Sequence, residues 1–237
     1  MKDFFQFKQF SVNQAGCGMK INTDGVLLGA LVKSESPATV LDIGTGTGVI
    51  ALMLAQRFPG ACIDAIEIDA IASETAMQNF LSSRFSDHLK VYPNSFQNFS
   101  REHPGKKYDL IVSNPPFFTN SLKNPDNQKH LARHTSEVLF NELVEFAKNH
   151  LTKSGTCYFI LPLEASRYFI EKSLKYELKL QTVINISSSG SKSAHRQIIG
   201  LGMESQESVE SSFIIYQSEK KYSQEFETAL KDFFTIF

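Results

Sequence analysis

Cysteine is scarce in this chain, and the three present, Cys17, Cys62 and Cys157, lie far apart with no Cys-x-x-Cys spacing. That excludes a disulfide-stapled scaffold and a structural zinc site built on paired cysteines, and it fits a reducing cytoplasm. Charge of one sign is equally lacking. Twenty-four Lys+Arg against 25 Asp+Glu leave a formal net charge of −1 over 237 residues, so net charge gives no nucleic-acid footprint. No apolar run approaches the ~18 residues of a membrane helix, and the best one, 111–118, is broken by Asn114-Pro115-Pro116. The start, Met1-Lys2-Asp3-Phe4-Phe5, lacks the apolar core and small-residue cleavage site of a signal peptide. Repeats, low-complexity tracts and long linkers are absent too. These readings predict a soluble intracellular protein.

What is present is globular: 42% hydrophobic and 21% charged residues exclude wholesale disorder, collagen and coiled coil. A chain of this length buries roughly 70–75% of its unfolded surface, enough for one full core. Residues 38–43, 62–68, 89–92, 108–113 and 156–163 are short, apolar and bounded by turn residues, as buried strands are. Residues 49–58, 71–82 and 136–151 have helical spacing; in the last, Val138, Leu139, Leu143, Phe146, Ala147 and His150 form the apolar stripe. Strand–helix alternation with short connections predicts a parallel sheet wound by right-handed crossovers. Residues 178–188, 196–203 and 212–217 have hairpin-type spacing, which predicts an antiparallel edge, and 224–234 a closing helix. Thr23 or Asp24 is the expected cap of a helix beginning near residue 26.

The chemistry concentrates at three strand ends. Val40-Leu41-Asp42-Ile43 runs into Gly44-Thr45-Gly46-Thr47-Gly48, the glycine-rich turn with which a parallel sheet presents a nucleotide site at its carboxyl edge. Gly46-x-Gly48-x-x-Ala51 matches the dinucleotide fingerprint. Asp42-x-Gly44-x-Gly46-x-Gly48 matches instead the S-adenosylmethionine (SAM) methyltransferase pattern, in which the carboxylate helps hold the amino acid end of SAM. Glu67, about 20 residues on, would accept from the ribose hydroxyls of either cofactor, whereas Asp69 is placed to cap the next helix.

The deciding motif is Ser113-Asn114-Pro115-Pro116-Phe117. Two prolines stiffen the turn and remove donors, so the Asn114 side-chain oxygen and the Pro115 carbonyl both accept from one planar amine. Accepting both protons localises the nitrogen lone pair for in-line attack on a sulfonium methyl, while an aromatic such as Phe117 stacks on the ring that carries the amine. Such catalysis rests on alignment and preorganised dipoles, with no strong base.

Asp42-x-Gly44-x-Gly46-x-Gly48, Glu67 and Asn114-Pro115-Pro116-Phe117 together resemble class I SAM-dependent amino-methyltransferases. Phe7-Lys8-Gln9-Phe10, Met19-Lys20-Ile21-Asn22-Thr23-Asp24-Gly25-Val26-Leu27-Leu28-Gly29, Ala132-Arg133-His134 and Tyr222-Ser223-Gln224-Glu225-Phe226 extend the resemblance to the bacterial tRNA1(Val) adenine-(6)-amino methyltransferases over nearly the whole chain. That family methylates the exocyclic amine of the adenosine at tRNA position 37. The resemblance implies a Rossmann-like α/β domain with a seven-stranded, mostly parallel sheet and helices on both faces. Residues 1–35 would form an N-terminal hairpin and helix over the cofactor site, and 36–237 one globular methyltransferase unit. It puts Asp42, Gly44, Gly46 and Glu67 on SAM, Lys20, Thr23 and Asp24 near its methionine end, and Asn114 with Phe117 on the target adenine. Asn94-Ser95-Phe96 departs from the pattern, since an Asp often stands there for the SAM adenine amine. Ser95 still accepts, without charge, and Phe96 would cover the ring, so weaker SAM affinity is expected.

Local charge supports an RNA substrate. Segment 118–200 holds 11 Lys+Arg against 7 Asp+Glu, whereas 201–237 holds 3 against 7. Lys123, Lys129 and Arg133 follow the catalytic turn, and Lys192, His195 and Arg196 form a second basic cluster. Phosphate contact is expected at Lys123, Arg133 and Arg196, with Phe118 beside Phe117 on a base swung out of its loop. His130 and His134 lack a third ligand, so no metal is expected, and Cys17 has no partner base. A monomer with no membrane association is expected. Rival readings are transfer to a glutamine side-chain amide of protein, transfer to a guanine amine of ribosomal RNA, a SAM- or RNA-binding scaffold without turnover, and a nicotinamide-dependent redox enzyme.

Overall fold

The computed structural model describes residues 3–116 and 127–237. In chain order the first half comprises β1 (Phe4–Gln6), β2 (Ser11–Asn13), α1 (Thr23–Leu31), β3 (Thr39–Ile43), α2 (Val49–Arg57), β4 (Cys62–Glu67), α3 (Ala70–Leu81), β5 (Leu89–Pro93), α4 (Phe96–Glu102) and β6 (Tyr108–Ser113). It continues with α5 (Asn127–His150), β7 (Leu151–Leu161), α6 (Leu163–Ser173), β8 (Lys179–Ser189), β9 (Arg196–Gly202), β10 (Val209–Ser218), β11 (Lys221–Tyr222) and α7 (Gln224–Leu230).

The expected α/β architecture is present, with nine strands rather than seven among the described residues, in the order β11-β10-β8-β9-β7-β6-β3-β4-β5. β5, β4, β3, β6 and β7 run parallel. The expected antiparallel edge is the short β11, which pairs antiparallel with β10, and a second antiparallel strand lies away from the edge. β9 lies inside the sheet, antiparallel to both β7 and β8, and beyond it β10 runs parallel to β8. Residues 178–203 have hairpin spacing, but nothing in that spacing says that β9 inserts between β7 and β8.

Side chains alternate across the pleat. Val40 enters the apolar layer beneath α1, α2, α3 and α7, and Leu41 and Ile43 enter the layer beneath α4, α5 and α6. α2 is buried from Val49 to Ala55, on every side, and a helix hydrophobic all round must be covered on both faces. The sheet covers one. Phe7, Phe10 and Val12 of the N-terminal segment join the same apolar cluster, with Phe7 stacked on Phe10 at 4.4 Å and the Lys8 N–H donating to Phe233 O. Residues 4–13 therefore share the main core, which is why so many phenylalanines crowd the start.

Several local expectations are corrected. Asn22, not Thr23 or Asp24, caps α1, accepting from the Gly25 N–H at 2.9 Å. β7 begins at Leu151, five residues early, because Leu151 pairs with Tyr108 ahead of the β6–β7 register shift, where Gly155 packs tightly on the Tyr108 carbonyl. The apolar stripe of α5 holds at Leu143, Phe146, Ala147 and His150, which are buried, but Val138 is 44% exposed, and Phe140 and Val144 join the buried face instead. α4 and α6 went unread; the latter buries Ser166, Phe169 and Ser173 at helical spacing.

Candidate functional site

The carboxyl ends of β3, β4, β5 and β6 lie side by side, with β3 at the point where the strand order reverses, the usual ligand crevice of an open α/β sheet. Ile43, the last residue of β3, pairs with both Ile66 of β4 and Ser113 of β6. The glycine turn and the Asn114-Pro115 turn thus leave the sheet on neighbouring strands, about 5 Å apart. Ser113 locks them together, its buried hydroxyl donating to Ile43 O at 2.8 Å.

The glycine turn is pinned from below. The N–H groups of Gly44 and Thr45 donate to Ile66 O, at 2.9 and 3.1 Å. Gly44, Gly46 and Gly48 have φ of 71°, 57° and 85°, a region that disfavours any side chain. Their surroundings differ. A β-carbon at Gly48 would stand 2.5 Å from Phe80 Cε1, whereas at Gly44 or Gly46 it would meet no protein atom within 4 Å. Gly48 serves packing; Gly44 and Gly46 border open space that a ligand can approach.

Asp42 lies under this turn with no exposed surface. Its Oδ2 accepts the Thr45 hydroxyl at 2.6 Å, and Oδ1 has no hydrogen-bond partner among the described residues. Burial pushes its carboxyl up to about 7; the Thr45 hydroxyl and the Ala51 N–H at the start of α2 pull the other way, and nearby Glu67 adds to the rise. A buried carboxylate oxygen left without a donor is expensive, and a cationic or N–H-bearing ligand group would relieve it.

Glu67, 9% exposed, divides its oxygens. Oε2 accepts the Gly46 N–H at 2.8 Å and Oε1 the Asp69 N–H at 2.9 Å, so it braces the turn while its remaining lone pairs stay available. Asp69 caps α3 as expected, accepting from Ala72 N–H at 2.8 Å. Ser95 caps α4, accepting from Asn98 N–H at 3.1 Å, and half-buried Phe96 meets Phe146 edge-on at 5.6 Å. Both follow the end of β5, beside Glu67, which pairs with Pro93. Asn114 is half-buried and Pro115 buried.

The sequence-predicted residues near α1 have other partners. Lys20 pairs with Asp3 at 2.8 Å. Thr23 lines an aromatic cavity beside β10. Asp24 pairs with Arg196, Nε to Oδ2 at 2.8 Å, and that guanidinium also donates to His195 O at 3.0 Å. α1 packs on α2, Gly25 against Ile50, which sets its first turn beside the helix that the glycine turn opens. Phe117, Phe118 and Lys123 lie outside the described residues, as do the side chains of Arg133, His130 and His134.

Sequence reasoning missed Asn79 and Phe80 of α3. Asn79, 4% exposed, donates to Thr47 O at 2.8 Å and Asn13 O at 2.9 Å and accepts from Asn13 N–H at 2.9 Å. It ties the glycine turn to the N-terminal hairpin. A polar residue on the apolar stripe of Ala72, Ala76 and Phe80 was the available signal.

Open space over Gly44 and Gly46, a buried acceptor at Asp42, a carboxylate at the next strand end and an aromatic at the third fit SAM as a ligand. The methyltransferase small domain model matches residues 19–185. The chain is similar to the tRNA1(Val) (adenine(37)-N6)-methyltransferase of Pedobacter heparinus, 46% identical over 237 residues and 100% of both chains. It is 38% identical to the enzyme of the same name from Bacteroides fragilis, over 98% of this chain and 97% of that one. Among solved structures, a predicted O-methyltransferase from Agrobacterium tumefaciens superposes with a TM-score of 0.71 at 15% identity, covering 89% of this chain and 96% of its own; that likeness concerns the fold.

Proposed function

The chain belongs to the tRNA1(Val) (adenine(37)-N6)-methyltransferase family, and from that premise we propose that it transfers a methyl group from SAM to the exocyclic 6-amino group of an adenosine in tRNA, position 37 of tRNA1(Val). The observation that carries the reading is the pairing of Ile43 with Ser113, which sets the glycine turn and the Asn114-Pro115 turn on adjacent strand ends. A donor site on one and an acceptor site on the other are then within reach of a direct transfer.

SAM, when bound, supplies an electrophilic methyl on a sulfonium. In this reading Asp42, Gly44, Gly46 and Glu67 hold its amino acid and ribose parts, Ser95 and Phe96 its adenine, and Lys20 and Asp24 stand toward the methionine end, whereas Thr23 lines the cavity beside β10. Asn114 Oδ1 and the Pro115 carbonyl accept the two protons of the target amine and aim its lone pair at the methyl, with Phe117 against the adenine ring. One of those protons leaves to solvent after transfer, so no strong base is required. Phe118, Lys123 and Arg133 belong to the RNA side. Arg196, held by Asp24, supports the exposed Lys192 and His195 there.

Transfer to glutamine or to guanine uses a similar turn, but the relatives are named as tRNA adenine enzymes, which favours adenine. The test offers labelled SAM with separate pools of unmodified tRNA, ribosomal RNA and cell protein. Label in tRNA as N6-methyladenosine is the expected result. Label in protein glutamine or in ribosomal guanine overturns the substrate.

A further inference from the structure

Along the carboxyl rim, strand order and register fix a sequence of features. Asn114 follows β6; then come the end of β7, the start of β9 at Arg196, the end of β8 at Ser189, and Tyr216 of β10, paired with Ser189. Four strand spacings separate β6 from β10, and the register sets Tyr216 six residues beyond the level of Ser113, so Tyr216 lies roughly 25 Å from Asn114. Between them stands the β8–β9 loop with Lys192 and His195 at the surface. The first turn of α1 reaches the same rim, because Asp24 pairs with Arg196.

At the far end of this line is a cavity of about 380 Å³. Its wall carries a continuous stack of rings: Tyr216 on Tyr222 at 5.2 Å and 18°, and Tyr222 on Phe226 at 4.4 Å and 9°. Tyr216 ends the stack 38% exposed. Phe5 closes another side, and Thr23 and Thr235 add polar atoms. Among the described residues no charged side chain lines it, and segment 201–237 carries more acid than base. That combination suits a planar, uncharged, hydrogen-bonding heterocycle and is poor for a phosphate.

Resting on the proposed tRNA reaction, we propose that this cavity holds a second, unpaired base of the same tRNA loop, a few nucleotides from the methylated adenosine. The intervening phosphates cross Lys192 and His195. Base–aromatic stacking tolerates any base identity and is worth enough to matter for affinity, and single-stranded loops whose bases splay apart are the usual targets of such sites. The cavity thus accounts for RNA recognition by a chain whose net charge is −1.

Steady-state methylation of unmodified tRNA by the full-length enzyme tests this, with Tyr216→Ala and Tyr216→Phe. Tyr216→Ala is expected to raise KM for tRNA by about tenfold with SAM affinity unchanged, and Tyr216→Phe to restore it. Single abasic substitutions in the loop of the tRNA locate the base: at one position the abasic loss and the Tyr216→Ala loss do not add. An unchanged KM for tRNA in Tyr216→Ala, with wild-type methylation intact, overturns the cavity's role and leaves the reaction standing; a protein partner then becomes the occupant to seek. Equal loss of SAM affinity overturns it also. Failure of the wild type to methylate tRNA overturns both readings.

Discussion

Glu67 of β4 accepts the Gly46 N–H at 2.8 Å. Two residues proposed for the cofactor, read from two separate strands, are therefore one hydrogen-bonded unit. The carboxylate shapes the turn, in addition to the cofactor role proposed for it.

Glu67→Gln keeps one acceptor and loses the charge; Glu67→Ala loses both anchors. Charged hydrogen bonds contribute roughly 1.5–3 kcal/mol each, so the SAM dissociation constant should rise at least about tenfold for Gln and further for Ala. Calorimetric titration with SAM and with its demethylated product, S-adenosylhomocysteine, measures this. The KM for tRNA should stay within a few fold.

The glycines separate packing from binding. Gly48→Ala drives a methyl into Phe80 at a positive φ and should lower stability by about 2–4 kcal/mol. Gly46→Ala meets no protein atom within 4 Å, so its stability loss should be near 1–2 kcal/mol from backbone strain alone, while SAM binding falls sharply. Thermal melts with and without SAM distinguish them; equal behaviour of the two variants contradicts the assignment.

Asp42 gives a pH signature. Its folded carboxyl is raised to about 7 by burial, from an ordinary 3.8. Folding therefore draws full benefit from this group below about pH 4, loses it as pH climbs toward 7, and is constant above. The loss is bounded at about 4 kcal/mol. Asp42→Asn carries no such loss, so the melting temperature of variant minus wild type should grow by several degrees between pH 5 and 8. SAM binding to Asp42→Asn should be weaker at pH 8. A difference that stays flat with pH contradicts the buried carboxyl.

The strand ends were legible because each carries a local signature: glycines at positive φ, an acid at the next strand end, prolines that stiffen a turn. The residues that join those ends were not. The Thr45 N–H, Asn79 and Ser113 act through hydrogen bonds set by strand pairing and helix docking, and Asn79 meets Asn13 across 66 residues. β9 was read as a strand, but its insertion between β7 and β8 depends on long-range pairing. Arg196 is expected on phosphate, and nothing in the sequence pattern signals that its Nε pairs with a carboxylate 172 residues away in the chain.

That pair divides the basic cluster. Arg196 is held by Asp24, whereas Lys192 is exposed. Lys192→Ser should raise KM for tRNA a few fold and reduce the slope of log KM against log salt by about one. Arg196→Ala should change that slope less and lower stability, with Asp24→Ala adding little in the double variant. Salt-dependent kinetics and a melting cycle over the four proteins check both.

The central claim is that the Asn114-Pro115 turn aligns the adenine amine. Single-turnover transfer from labelled SAM into unmodified tRNA1(Val), run on wild type and Asn114→Ala with SAM binding measured on the same preparations, tests it most directly. The expected result is N6-methyladenosine from the wild type, loss of transfer by about a thousandfold or more in the variant, and SAM affinity within a few fold. Transfer by Asn114→Ala at a rate near wild type would contradict the account.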